Sequence, residues 1–135
     1  MMPEKSRRED TAAWLVHAKK DLNAARVLIP IELSCATFHC QQAAEKSAKA
    51  FLTFHEVVFR KTHDMKELGK QCAQVNPELE PMFKDASDLN DYAVVFRYLD
   101  APHEPDEEEA KGALEIAQRV FDVVQRLTRS TSATA

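Results

Sequence analysis

The sequence predicts an all-α protein, an antiparallel up-and-down bundle of four or five helices. Only 2 of the 135 residues are glycine, whereas a protein of sheets and tight hairpins needs glycine for its turns. Apolar residues recur at intervals of three and four, which is the period of an amphipathic helix. Prolines separate the segments that show this period. Short connections between long amphipathic helices are typical of antiparallel bundles.

The first helix is expected to begin at Asp10 or Thr11, both residue types that cap helices, and to end at Ile29 before Pro30. One continuous apolar stripe along this segment should face the core. The predicted stripe consists of Leu15, Ala18, Leu22, Ala25 and Ile29.

The second helix is predicted from Ser34 to His55. Small side chains in the middle of its apolar stripe would let a neighbouring helix approach closely. The stripe consists of Cys40, Ala43, Ala44, Ser47, Ala50, Phe51 and Phe54. A short third helix should then begin at Asp64, the first residue of an Asp-x-x-Glu capping box, and end near Gln74.

The fourth helix is expected to open at Asn76-Pro77-Glu78 and to run to residues 97–99. Its predicted buried face consists of Leu79, Met82 or Phe83, Ala86, Leu89, Ala93 and Phe96. After a proline-marked loop, the fifth helix should open at the acidic segment 105–109, since negative charge suits a helix N-terminus. Its stripe consists of Ala110, Ala113, Ala117, Val120, Val124 and Leu127.

Composition limits the class of protein. We expect one domain: a flexible N-terminus at 1–9, the bundle at 10–128 and a frayed tail at 129–135. The net charge of −4 argues against a generally basic nucleic-acid binder. The three cysteines lack metal-ligand spacing, and no glycine-rich phosphate loop occurs. No apolar run suits a signal peptide or a membrane span. We therefore expect a cytoplasmic protein with no metal, no cofactor and no membrane contact.

Five polar residues of the second helix fall on the side away from its apolar stripe: Gln41, Gln42, Glu45, Lys46 and Lys49. The simpler interpretation, which physics alone favours, is a solvated face supported by an i,i+4 pair between Glu45 and Lys49. The alternative is a hydrogen-bonding surface for a second copy of the chain or for a nucleotide. Amide and carboxylate groups would donate and accept hydrogen bonds there, and the lysines would attract phosphate.

Four groups of residues form a recognisable combination. They are Trp-x3-Ala-x2-Asp-Leu from Trp14, Phe-His-Cys-Gln-Gln-Ala-Ala-Glu-Lys from Phe38, Thr-His-Asp from Thr62, and Tyr-x4-Arg-Tyr from Tyr92. Together they resemble the HEPN domain family, whose name stands for higher eukaryotes and prokaryotes nucleotide-binding. The resemblance covers about residues 10–125, and it implies a helical bundle that forms a homodimer. It also implies one of three roles: a metal-independent endoribonuclease, often a toxin; a nucleotide-binding partner of a small nucleotidyltransferase; or an accessory domain without chemistry.

Arg97 and His103, separated by five residues, resemble the Arg-x(4–6)-His motif of the ribonuclease members. A histidine can move protons at the 2′-hydroxyl or the leaving oxygen, and an arginine fork can hold the scissile phosphate. Several features weaken this assignment. Arg97 belongs to the Arg-Tyr pair that ends the predicted fourth helix, whereas His103 lies in the following loop, so only the spacing joins them. Tyr98 and Pro105 stand where the active enzymes more often carry a polar residue and a tyrosine. Leu99 replaces a common proline. The acidic run 104–109 would repel an RNA backbone.

The sequence therefore leaves a ranked set of functions. The leading hypothesis is a nucleotide- or RNA-related module that acts with a small nucleotidyltransferase, in a toxin–antitoxin-like or nucleotide-binding system. The alternatives are a ribonuclease that uses Arg97 and His103 and a non-catalytic protein-interaction domain. For His63-Asp64, we favour a helix cap at Asp64 over a functional pair, and we interpret His39 as an ordinary residue at the edge of a helix.

Overall fold

The computed structural model describes residues 3–91 and 104–129. The elements in chain order are α1 (Glu4–Leu28), α2 (Leu33–Phe54), α3 (Met65–Val75), a 3-10 turn (Pro77–Leu79), α4 (Glu80–Ser87) and α5 (Glu107–Leu127). No strand occurs in these two ranges, which confirms the all-α prediction. The same part of the chain holds no helix long and apolar enough to cross a membrane.

Helix α2 lies at the centre of the bundle. It packs against α1, α5 and α3. Its small side chains Ala43, Ala44, Ala48 and Ala50 are fully buried, which allows close contact on several sides at once. The predicted stripes of α1, α2 and α5 are buried apart from their terminal members Leu15, Phe54 and Leu127, which are half-buried.

Helix α1 begins at Glu4, six residues before the predicted cap, so residues 4–9 are helical. The hydroxyl of Thr11 donates to the Arg7 carbonyl oxygen at 2.7 Å and does not cap the helix. The Arg7 guanidinium donates to the Phe54 carbonyl oxygen at 2.8 Å and lies over the Phe54 ring. This contact with the far end of α2 stabilises a first turn whose sequence carries no strong start signal.

The start signals of the later helices are partly as predicted. The Asp64 side chain accepts from the Lys66 N–H, which confirms the cap of α3. Glu67 instead pairs with Arg60 at 2.8 Å, so the predicted capping box is not formed. Asp106 and Glu109 form a complete capping box at α5. Helix α2 begins at Leu33 with Glu32 at the cap, so the predicted cap at Ser34 is wrong.

The predicted fourth helix is interrupted. Asn76 caps a 3-10 turn as expected, α4 ends at Ser87, and helical residues resume at Asn90 and Asp91. The part of the prediction that covers residues 92–99 lies outside the described residues. After α4, backbone N–H groups donate to the carbonyl oxygen three residues earlier, as from Leu89 to Ala86. Asn90 then accepts from the Met65 N–H and donates to Asp64, both at 2.9 Å. These tertiary bonds hold the turn after α4 against the start of α3.

The buried face of this region agrees with the prediction as far as the described residues reach. Leu79, Met82, Phe83, Ala86 and Leu89 are all buried. Ala93 and Phe96 lie outside the described residues.

Candidate functional site

The polar face predicted on α2 is largely inside the protein. Gln41, Glu45 and Lys49 are 0%, 2% and 6% exposed, so the expectation that these three residues face water is wrong. Gln42 and Lys46 are half-buried. The reason is the central place of α2. It contacts α1, α3 and α5, so these neighbours cover residues outside its apolar stripe as well.

Glu45 organises the first of two polar groups, which we call the Glu45 cluster: Gln41, Glu45, Lys49 and His63. Its Oε1 accepts from the Gln41 amide at 3.0 Å and lies 3.0 Å from His63 Nδ1. Its Oε2 accepts from Lys49 Nζ at 3.2 Å. A buried carboxylate is tolerated only with this kind of pairing, because an unpaired charge in the interior is strongly unfavourable.

The remaining polar atoms of the Glu45 cluster also have partners. The Gln41 amide donates to the His63 carbonyl oxygen at 3.2 Å, and its Oε1 accepts from Gln42 at 2.7 Å. Lys49 Nζ lies 5.4 Å from the centre of the Trp14 ring, within range of a cation–π interaction. The network therefore joins α1, α2 and the connection before α3.

Asp21 organises the second group, the Asp21 cluster: Asp21, His39 and Lys46. Its Oδ1 lies 2.8 Å from His39 Nδ1, and its Oδ2 accepts from Lys46 Nζ at 2.6 Å. Asp21 is 7% exposed and sits on α1 between the core residues Ala18 and Leu22. It links α1 to α2 by two charged or polar contacts.

The two clusters share one geometry. In each, a buried carboxylate holds the Nδ1 atom of a histidine, which fixes the orientation of the ring and leaves Nε2 as the nitrogen available to a ligand. The side chains of His39, Lys46 and His63 are 32%, 25% and 55% exposed. Interior carboxylates thus hold cationic or hydrogen-bonding groups at the surface, an arrangement suited to binding an anion.

The predicted site residues therefore fall into three sets. Gln42 and Lys46 reach the surface, whereas Gln41, Glu45 and Lys49 are buried. Gln41 contacts Gln42 directly, and Lys46 is held by Asp21. Arg97 and His103 lie outside the described residues, so their proximity in space stays a prediction.

Sequence reasoning missed Asp21, His39 and His63 as members of a site. One signal existed for Asp21, because it lies three residues after Ala18 and four before Ala25, inside the predicted buried stripe. A carboxylate in that position needs a partner. The pairing of His63 with Glu45, 18 residues away, had no such signal, and Asp64 caps α3 as expected.

Two of the cysteines are unsuited to nucleophilic chemistry. Burial raises the pKa of Cys40 and that of Cys72 to about 12, so both thiols stay protonated near neutral pH. Among residues 3–91 and 104–129, no group of three or more His, Cys, Asp or Glu side chains is placed to hold a metal ion.

Comparisons with known proteins agree with the fold. The family model for the HEPN domain matches residues 11–127. The crystal structure of an archaeal HEPN homologue superimposes with a TM-score of 0.68 at 23% identity, over 88% of this chain and 98% of the homologue. No curated protein matches the chain. Because the family model spans most of the sequence, the chain belongs to the HEPN domain family.

Proposed function

We propose that this protein is a nucleotide- or RNA-binding module that acts with a small nucleotidyltransferase, and that the outer atoms of the Asp21 and Glu45 clusters contact the ligand. The observation that carries the proposal is the pair of buried carboxylates, each of which holds a histidine through Nδ1. Membership of a nucleotide-related family supports the ligand class.

Phosphate chemistry fits the groups at the surface. Lys46 has three N–H donors and uses one on Asp21, so two remain for a phosphate oxygen. In their protonated form, His39 and His63 would each donate from Nε2 to a phosphate oxygen, and the Gln42 amide would donate a further hydrogen bond. Since the supporting residues are held by packing and by hydrogen bonds, little order has to be gained on binding.

The partner part of the proposal rests on the family. Members that accompany a small nucleotidyltransferase provide the precedent, and we expect this chain to act as a homodimer that presents or binds nucleotide for such an enzyme in a toxin–antitoxin-like system. Where a small nucleotidyltransferase is encoded beside this gene, its purified product should form a complex with the chain in size-exclusion chromatography. Separate elution at micromolar concentration would contradict the partnership without bearing on nucleotide binding.

The binding test uses fluorescence anisotropy with a labelled single-stranded RNA and competition by ATP. We expect His63→Gln and Gln42→Glu to weaken binding roughly tenfold or more, since each removes or repels a phosphate contact. His17→Gln, at an exposed histidine of α1, serves as the matched control and should bind like wild type. Equal binding by all four proteins, with circular dichroism unchanged, would remove the α2 face from the ligand site.

The ribonuclease alternative rests on Arg97 and His103 in the sequence. Its test is cleavage of RNA by the purified chain with EDTA present, beside Arg97→Ala and His103→Ala. Metal-independent cleavage that both substitutions abolish would establish the enzyme. Intact RNA, or cleavage that survives both substitutions, would exclude this pair.

A further inference from the structure

A groove between α3 and α4 lies apart from the α2 clusters. It encloses about 410 Å³, which is within the range of small-molecule sites. Three lysines line it: Lys66 and Lys70, one turn apart on α3, and Lys84 on α4. Among the described residues of the lining, Glu80 is the one acidic side chain, so this part of the groove has an excess of positive charge.

The three lysines are not explained by the stability of the fold. All three are exposed, and none forms an ion pair in the described part of the chain. Lysines at i and i+4 on one helix repel each other by a few tenths of a kcal/mol, roughly the amount by which an opposite-charge pair stabilises. Even the i,i+4 neighbours Glu80 and Lys84 are not within ion-pair distance of each other. No side chain in residues 3–91 or 104–129 therefore occupies the ammonium groups, which can bind an external anion.

The floor of the groove is apolar and firmly built. Gly69 brings α3 so close to α4 that a Cβ atom placed there would lie 2.8 Å from the Cβ atom of Phe83. Phe83 is 3% exposed, and Ala73 lines the groove beside it. A ligand in this groove would meet cationic groups at the rim and an apolar surface below.

We propose that the α3–α4 groove binds a small ligand that joins two or more phosphate groups to an apolar, ring-containing body, as a nucleoside polyphosphate does. The phosphates lie among Lys66, Lys70 and Lys84, and the body contacts the floor at Ala73 and Phe83. This site uses elements separate from those of the α2 face. Its existence therefore does not depend on the function proposed for that face.

The test is isothermal titration calorimetry on the full chain with three probes: ATP, tripolyphosphate and adenosine. ATP should bind, and tripolyphosphate should compete for the same site more weakly, because it lacks the apolar body. Lys70→Glu and Lys84→Glu should each weaken ATP binding roughly tenfold or more, since each replaces an attraction with a repulsion. Lys20→Glu, at an exposed lysine of α1 with the same change in net charge, should have less than about a twofold effect through screened long-range charge.

Several outcomes would contradict the proposed ligand site in the α3–α4 groove. They include absence of saturable ATP binding, equal weakening by Lys20→Glu and by the groove variants, and tripolyphosphate binding as tightly as ATP. ATP binding lost in His63→Gln but kept in Lys70→Glu would also overturn it, while supporting the α2 face. Loss in the groove variants alone would establish this site separately.

Discussion

Helices α2 and α5 are of similar length but bury their side chains in different patterns. On α5 the buried residues are Ala110, Ala113, Ala117, Val120, Phe121 and Val124, so one apolar stripe faces the core. On α2 the apolar stripe is joined by a second buried set that includes Gln41, Glu45 and Lys49. An ordinary amphipathic helix needs only the first pattern. The second pattern adds charges inside the bundle whose pairing has to be complete.

The largest expected effect comes from breaking the Glu45 cluster. Glu45→Ala leaves the buried Lys49 ammonium and the Gln41 amide without their carboxylate, and loss of one member of a buried ion pair costs about 3 to 5 kcal/mol. Urea denaturation should show this as a fall in the free energy of unfolding. Glu115→Ala, at an exposed site on α5, is the matched control and should change stability by less than about 0.5 kcal/mol.

A double variant sharpens the same prediction. Glu45→Gln with Lys49→Met removes both charges and keeps their approximate volumes, so no ion stays buried and unpaired. It should be more stable than Glu45→Ala. If Glu45→Ala instead unfolds at the same urea concentration as wild type, the Glu45 cluster contributes nothing to stability. The buried charges of α2 would then not affect the free energy of unfolding.

The next effect compares the chain's two glycines, which should respond to alanine in opposite directions. At Gly69 on α3, the new Cβ atom would approach the Cβ atom of Phe83 to 2.8 Å, and relief of such overpacking costs about 1 to 3 kcal/mol. At Gly112 on α5, nothing lies within 4 Å, so Gly112→Ala should gain about 0.5 to 1 kcal/mol from helix propensity. Thermal unfolding of the two variants measures both, and stabilisation by Gly69→Ala would contradict the close α3–α4 contact.

The contrast between α2 and α5 also explains what the sequence could predict. Periodicity identified α5 and the apolar stripe of α2, because each depends on local spacing along one helix. It placed Glu45 and Lys49 in water, because the neighbours that cover them come from other parts of the chain. The Asp21–Lys46 and Glu45–His63 contacts span 25 and 18 residues, and no local pattern encodes such distances. The interruption between α4 and the helical residues Asn90 and Asp91 involves contacts of the same kind, the bonds from Asn90 to the start of α3.

A smaller effect separates two cysteines within α2. Cys35 lies in the first turn and is half-buried, whereas Cys40 is fully buried and its pKa is raised to about 12 by burial. Cys72 on α3 is like Cys40 in both respects. A thiol-specific reagent at pH 8 should therefore label one thiol per native chain, and Cys35→Ser should remove it. Rapid labelling of two or three thiols in the native protein would show that the centre of the bundle opens easily.

The smallest effect concerns His55, at the C-terminal end of α2. Burial, and then the charge of Arg7, lower the pKa of His55 from its ordinary value of 6.5, so the fold favours the neutral ring. Below about pH 6.5, His55 therefore binds protons more readily in the unfolded chain than in the folded one. The contribution of neutral His55 to the free energy of unfolding is complete above that pH and is lost as the pH falls. The melting temperature should fall less between pH 7.5 and 5.5 in His55→Gln than in wild type. His17→Gln, on the exposed side of α1, should follow wild type, and an equal fall in all three proteins would assign the acid sensitivity to other groups.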